Sequence, residues 1–185
     1  MRIVVSGTHA SGKSTLIADF AMRHPEFAVL PDPFELIDDS WDTPSAAMFM
    51  AQLRVAAQRL GSDDEGESLI AERGPIDFLA YILAMAELSG TTADGDLVER
   101  AMALTADALG RVDLLAVLPL TPGRPIHVGD DEQLELRSAM NDVLLELIDD
   151  PDLIGDRLAV CEITGDPAER LAALEEAAGM LRHDG

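Results

Sequence analysis

The sequence predicts an α/β fold in three layers, α/β/α, around a parallel sheet of five strands. Three observations carry that expectation. Short apolar runs alternate with stretches of helical period along the whole chain. Most of those runs are continuously apolar, as strands are when helices cover both their faces. The length of 185 residues, with 48% hydrophobic and 26% charged content, suits one domain over 1–185 with a single core.

The elements follow in order. "RIVVSG" (2–7) is a β-branched run ending in glycine, and "STLIADFAMRH" (14–24) places Leu16, Ile17, Phe20 and Ala21 on one helical face. "FAVLPD" (27–32) reads as the second strand, followed by a helix over 44–60. "SLIAERG" (68–74) is the third, followed by helices over 75–90 and 96–109. "DLLAVLPL" (113–120) and "RLAVCEI" (157–163) complete the strands, with helices over 132–150 and 166–182 after them. Right-handed crossovers join parallel strands of this kind. Segments 61–68, 90–96 and 121–131 read as exposed loops, and no internal repeat or low-complexity tract interrupts the pattern.

Composition excludes several classes of partner. A net charge of −22, from 35 acidic against 13 basic residues, repels phosphate backbones and anionic lipid, so neither a nucleic acid polymer nor a membrane is expected as partner. The acidic excess is a solvated surface, and salt adaptation or a lysine-poor codon usage would produce it equally. There is no apolar run of the roughly 18 residues that would cross a bilayer, and "MRIVVSG" opens without a charged leader, which places the protein in the cytoplasm. The single cysteine, Cys161, excludes an internal disulfide and sits in a strand as a packing residue. The histidines at 9, 24, 127 and 183 are scattered and define no metal site.

Ligands of open parallel sheets bind at the carboxyl ends of the strands. Directly after the first strand, "GTHASGKS" (7–14) matches the phosphate-binding pattern G-x-x-x-x-G-K-[ST] in full, and Lys13 is the only lysine in the chain. Glycines let the backbone curl so that its amides point inward, the following helix adds its positive end, and a compact ammonium meets the β- and γ-phosphates. Arginine's planar fork is a poor replacement inside such a loop, which accounts for a lone lysine here in a protein otherwise served by arginine. The cradle comprises Gly7, Thr8, His9, Ala10, Ser11, Gly12, Lys13, Ser14 and Thr15, with His9 at a variable, solvent-facing position and Ser14 able to reach a magnesium ion.

The next strand ends add acid and base chemistry. Asp32 lies between two prolines after the second strand, and Glu72 and Arg73 follow the third. Phosphoryl transfer to a hydroxyl needs a base at the acceptor, a carboxylate that organises magnesium, and cations for the developing charge, and these residues have those chemistries.

On "GTHASGKST", "PDP", "ERGPID", "PGRPIHVGDD" with Arg137 downstream, and "ITGDPAERL", the chain resembles the P-loop NTPases of the nucleoside and nucleotide kinase type, including their small AAA-type, NadR-like and deoxynucleoside kinase relatives. The resemblance covers nearly the whole chain in element order and implies the strand order 2-3-1-4-5. It implies that Asp32 acts as base toward the acceptor hydroxyl, with Glu72 and Arg73 as the acid and arginine after strand three. Glu72 and Ser14 are the implied magnesium ligands. It implies a lid-type loop at about 121–137, whose cations are Arg124 and Arg137. Gln52 and Arg59, seven residues apart on one helix face, are the implied readers of a base, with Asp77 pairing with Arg59. Adenine would lie near "TGDPAER", stacked on Arg170 or a lid arginine. Two features depart from the pattern: the loop holds one arginine where such lids usually carry two or more, and Asp32 replaces the usual glutamate.

The reading is an ATP- and magnesium-dependent phosphotransferase acting on a hydroxyl of a nucleoside or nucleotide-like small molecule. The alternative is a regulatory nucleotide-binding module or NTPase that switches a protein partner. ATP is favoured as donor because the N-K-x-D motif of many GTPases needs a second lysine. The helices over 75–90 and 96–109 are apolar enough for a homodimer face, and core packing explains them as well.

Overall fold

The computed structural model describes residues 1–36, 44–62, 68–91, 94–120 and 134–183. Strands β1 (Arg2–Ser6), β2 (Ala28–Leu30), β3 (Leu69–Glu72), β4 (Leu114–Val117) and β5 (Ala159–Glu162) form one sheet in the order β2-β3-β1-β4-β5. All pairings are parallel, with Val5 opposite Glu72, Val5 opposite Ala116, Leu30 opposite Ala71, and Val117 opposite Glu162. The expected order is found. The carboxyl ends of β1, β2 and β3 therefore open side by side on one edge of the sheet.

The helices are α1 (Lys13–Arg23), α2 (Ala46–Leu60), α3 (Pro75–Ser89), α4 (Gly95–Leu109), α5 (Leu134–Leu147), α6 (Pro151–Ile154) and α7 (Pro167–His183). Their starts follow local chemistry. Ser45 caps α2 by accepting from the Met48 amide at 3.2 Å. Asp166 and Glu169 cap α7 reciprocally: the Asp166 carboxylate accepts from the amides of Ala168 and Glu169, and the Glu169 carboxylate accepts from the Asp166 amide. The helix expected over 132–150 ends at Leu147, and Asp150, capping the Asp152 amide at 2.9 Å ahead of Pro151, starts the separate short α6.

Alternate strand residues feed two cores, as a pleat of period two requires. Ile3, Val5, Ile70, Leu114 and Ala116 face α1 and α7, meeting Leu16, Phe20 and Leu174. Val4, Leu69, Ala71, Leu115 and Val117 belong to the opposite core with residues of α2, α3, α4 and α5. α3 lies deepest, with Ile76, Phe78, Leu79 and Ala80 all at 0% exposure, so core packing accounts for its apolar character. Among the described residues no helix is long and apolar enough to cross a membrane. Cys161 sits half-buried in β5, and burial pushes its thiol pKa up, which makes it a poor nucleophile.

Candidate phosphate-binding site

The loop after β1 owes its shape to three left-handed backbone positions. Gly7 has φ 150°, and a Cβ there would lie 2.7 Å from the Leu118 carbonyl oxygen and 2.9 Å from Ser11 Oγ, so no other residue fits. Gly12 has φ 94° and caps α1. Ala10, at φ 50°, takes the same region without glycine's freedom, a strain on the order of 1–3 kcal/mol. These positive-φ residues lead the chain from β1 into the N-terminus of α1. No acidic residue stands in the first turn of α1 to cancel its positive end.

Lys13 is 4% exposed, and its Nζ donates to the Thr8 carbonyl at 2.8 Å across the loop. Burial and then the nearby Arg73 charge lower its pKa to about 7, against the pull of Asp77, Glu72 and Asp32. Beside it, Ser14 Oγ donates to Glu72 Oε1 at 2.8 Å. A hydroxyl and a carboxylate in contact form an oxygen donor set that suits a hard divalent cation, which takes its remaining oxygens from phosphates and water. Among the described residues no group of three or more His, Cys, Asp or Glu side chains gathers as a metal site. The Ser14–Glu72 pair fits magnesium.

Asp77 corrects a sequence expectation. It does not pair with Arg59: it is fully buried beneath the loop. Its Oδ1 accepts from the Gly7 amide at 2.8 Å, and its Oδ2 from Ser6 Oγ at 2.6 Å and the Gly74 amide at 2.9 Å. Sequence spacing hides this, because the third residue of α3 is brought under Gly7 only by the β1–β3 register. Burial raises the Asp77 pKa, while Arg73, the Gly7 amide, Ser6 and Lys13 act in the opposite direction. Arg59, half-buried, instead donates to the Pro31 carbonyl at 2.7 Å and so fixes the exit from β2.

Arg73 Nε donates to Asp32 Oδ2 at 2.6 Å. Asp32 Oδ1 accepts from the Phe34 amide at 3.0 Å, an Asx-type turn that holds the carboxylate at the strand end. Arg73 adopts φ 65° and is 3% exposed, with its guanidinium 5.5 Å from the Phe34 ring and 5.6 Å from the Tyr81 ring. Burial opposes the Arg73 cation, but Tyr81, Asp32 and Asp77 together outweigh it and hold its pKa above the ordinary arginine value. Sequence reading missed Phe34 and Tyr81. The signal for Phe34 was its place in "PDPFE" beside Asp32. Tyr81 stacks on Phe49 at 4.7 Å between ring centroids and is packed in the core, so no local pattern marks it. Gln52 is 2% exposed, and among the described residues its Oε1 is buried without a hydrogen-bond partner.

Two further arginines reach the loop from the C-terminal half. Arg137 Nε donates to the His9 carbonyl at 2.9 Å and its Nη2 to the Ala10 carbonyl at 3.2 Å. Arg170 Nη1 donates to the Ser11 carbonyl at 2.7 Å. Arg124, the other expected lid cation, and the loop over 121–131 lie outside the described residues.

This fold and site have counterparts among solved structures. The chain superposes on deoxyadenosine kinase from M. mycoides, a structure with the product dCMP and a flexible dCDP bound, at 15% identity and TM-score 0.66, covering 97% of this chain and 100% of that one. The same kinase with bound dATP gives 14% identity and TM-score 0.64, again over 97% and 100%. Thymidylate kinase from Candida albicans gives 19% identity and TM-score 0.67, over 98% of this chain and 92% of that one. The fold is that of the P-loop nucleoside and nucleotide kinases, and at these identities the likeness is one of fold. No protein-family model and no curated protein matches the sequence.

Proposed function

We propose that the protein transfers the γ-phosphate of ATP to a hydroxyl of a nucleoside-like small molecule. One observation carries this reading: three neighbouring strand ends present the loop lysine, the Ser14–Glu72 pair and the Asp32–Arg73 pair on one rim. An NTPase that binds nucleotide alone has no use for a carboxylate held by arginine at the end of β2. The structural neighbours, whose bound ligands are deoxynucleotides, support a nucleoside or nucleotide as acceptor.

In this reading the loop amides and the α1 terminus bind the phosphates, and Lys13 exchanges its bond to the Thr8 carbonyl for the β- and γ-oxygens. Magnesium, when bound, neutralises phosphate charge, and Ser14 Oγ with Glu72 would hold it. Asp32 accepts the proton of the acceptor hydroxyl at its carboxylate. Each of its oxygens keeps a lone pair after bonding Arg73 and the Phe34 amide. Arg73 orients Asp32 through its 2.6 Å hydrogen bond, and Gln52 Oε1 takes a donor of the acceptor, with Arg59 on the same helix. Arg137 contributes positive charge beside the loop.

A panel of nucleosides and other alcohols tests the reading through ADP release. Release that depends on the acceptor is expected. ATP hydrolysis indifferent to every acceptor would instead assign the regulatory NTPase role, and no turnover with any acceptor would remove the kinase reading.

A further inference from the structure

Five consecutive carbonyls of the phosphate-binding loop accept hydrogen bonds from cationic side chains. Gly7 receives Arg73 Nη1 at 3.4 Å, Thr8 receives Lys13 at 2.8 Å, His9 and Ala10 receive Arg137 at 2.9 and 3.2 Å, and Ser11 receives Arg170 at 2.7 Å. A trans peptide is planar, and its carbonyl and amide point in opposite directions. Holding the carbonyl of residue 11 outward therefore aims the amide of residue 12 inward, and the same coupling links 9 to 10 and 10 to 11.

The segment so held includes the strained turn. Ala10, at φ 50°, persists in a left-handed conformation only if its surroundings over-determine it. Its own carbonyl and the carbonyls on either side are those fixed by Arg137 and Arg170. Arg170 is also tied at its other side, where Nε donates to the Gly165 carbonyl at 3.0 Å in the turn between β5 and α7. The guanidinium thus bridges two backbone segments with separate nitrogens, a task that arginine's rigid fork performs and a lysine cannot.

We propose that Arg170 is a positioning residue for triphosphate binding: by clasping the Ser11 carbonyl to the β5–α7 turn it preshapes the amide cradle, without touching the nucleotide. This inference rests on the phosphate-binding part of the reading above, not on the identity of the acceptor. Preorganised donors bind charge well because their orientation is fixed before the ligand arrives. A base-stacking role for Arg170 makes the opposite prediction about which part of the nucleotide is sensed.

The test is calorimetric binding of magnesium tripolyphosphate and, separately, of adenosine to wild type, Arg170→Ala and Arg170→Lys. Hydrogen–deuterium exchange of peptides covering residues 7–14 is measured without added nucleotide. Arg170→Ala is expected to weaken tripolyphosphate about tenfold, leave adenosine within about twofold, and speed exchange in the loop; Arg170→Lys, with one donor head, should fall between. A loss for adenosine with tripolyphosphate unchanged would make Arg170 a base contact, equal losses for both probes would make its effect a general structural one, and unchanged binding with unchanged exchange would leave it without a role in the cradle; each of these overturns the proposal. If Arg170→Ala does not fold, Arg170→Lys decides by the same two readouts. Should wild type bind no tripolyphosphate, the exchange arm decides alone. Failure of the kinase reading shows separately, as absent acceptor phosphorylation with the clasp intact.

Discussion

Lys13 is a weakened cation in this conformation, because burial and Arg73 lower its pKa to about 7. A triphosphate supplies the negative charge that restores the ammonium, so binding above pH 7 takes up a proton. Affinity for MgATP is then expected to fall about tenfold per pH unit above pH 7. Proton uptake approaching one, measured by calorimetry in buffers of different ionisation enthalpy at pH 8, checks this; pH-independent affinity from 7 to 9 would contradict it. The sign for stability is the reverse. The unfolded lysine keeps its proton up to its ordinary value of 10.5 while the folded one loses it near 7, so stability rises with pH across that interval. Asp32→Asn should lower turnover by about 10²- to 10⁴-fold while leaving ATP affinity nearly intact, read as a fall in kcat without a rise in KM for ATP. The placement of Lys13, Ser14 and Asp32 just beyond strand ends was legible because it depends on local motif and strand period. The contacts of Asp77 and Arg170 were not: Ser6 and Gly7 lie 71 and 70 residues from Asp77, and Ser11 is 159 residues from Arg170.

At the scale of elements, the loop stands on a bracket between β1 and α3. The buried Asp77 carboxylate accepts from two amides and a hydroxyl, and an asparagine there would offer a single oxygen and set an amide donor against backbone donors. Asp77→Asn is expected to cost about 2–4 kcal/mol in urea denaturation and to weaken phosphate binding as the Gly7 amide loses its anchor. Helix α3 fills the core beside that bracket. Leu79, at 0% exposure on its buried side, should cost about 2–5 kcal/mol on truncation to alanine, with no change in ATP affinity per folded molecule. The strand and helix succession was readable from period alone. The separate α6 also left a local sign, since Asp150 before Pro151 is a cap-and-first-turn pair, but the apolar period running through 132–150 masks it.

For the whole molecule, the parallel order β2-β3-β1-β4-β5 explains why residues far apart in sequence converge. β1 delivers the loop, β3 delivers Glu72 and Arg73 next to it, and β2 delivers Asp32 one strand further out. α5 and α7 close the other side through Arg137 and Arg170. The chain carries a net charge of −22, so salt should aid the approach of ATP by screening that acidic charge, not hinder it as in nucleic-acid binders. The reaction proposed for this site is transfer from a triphosphate gripped by the loop to a small hydroxyl compound. Phosphorus NMR of ATP, magnesium and a nucleoside panel with the protein measures that directly. A phosphomonoester signal is expected that grows with one class of acceptor and is absent with Lys13→Ala; inorganic phosphate as the sole product, or an unchanged ATP spectrum with every acceptor, would rule out this transfer.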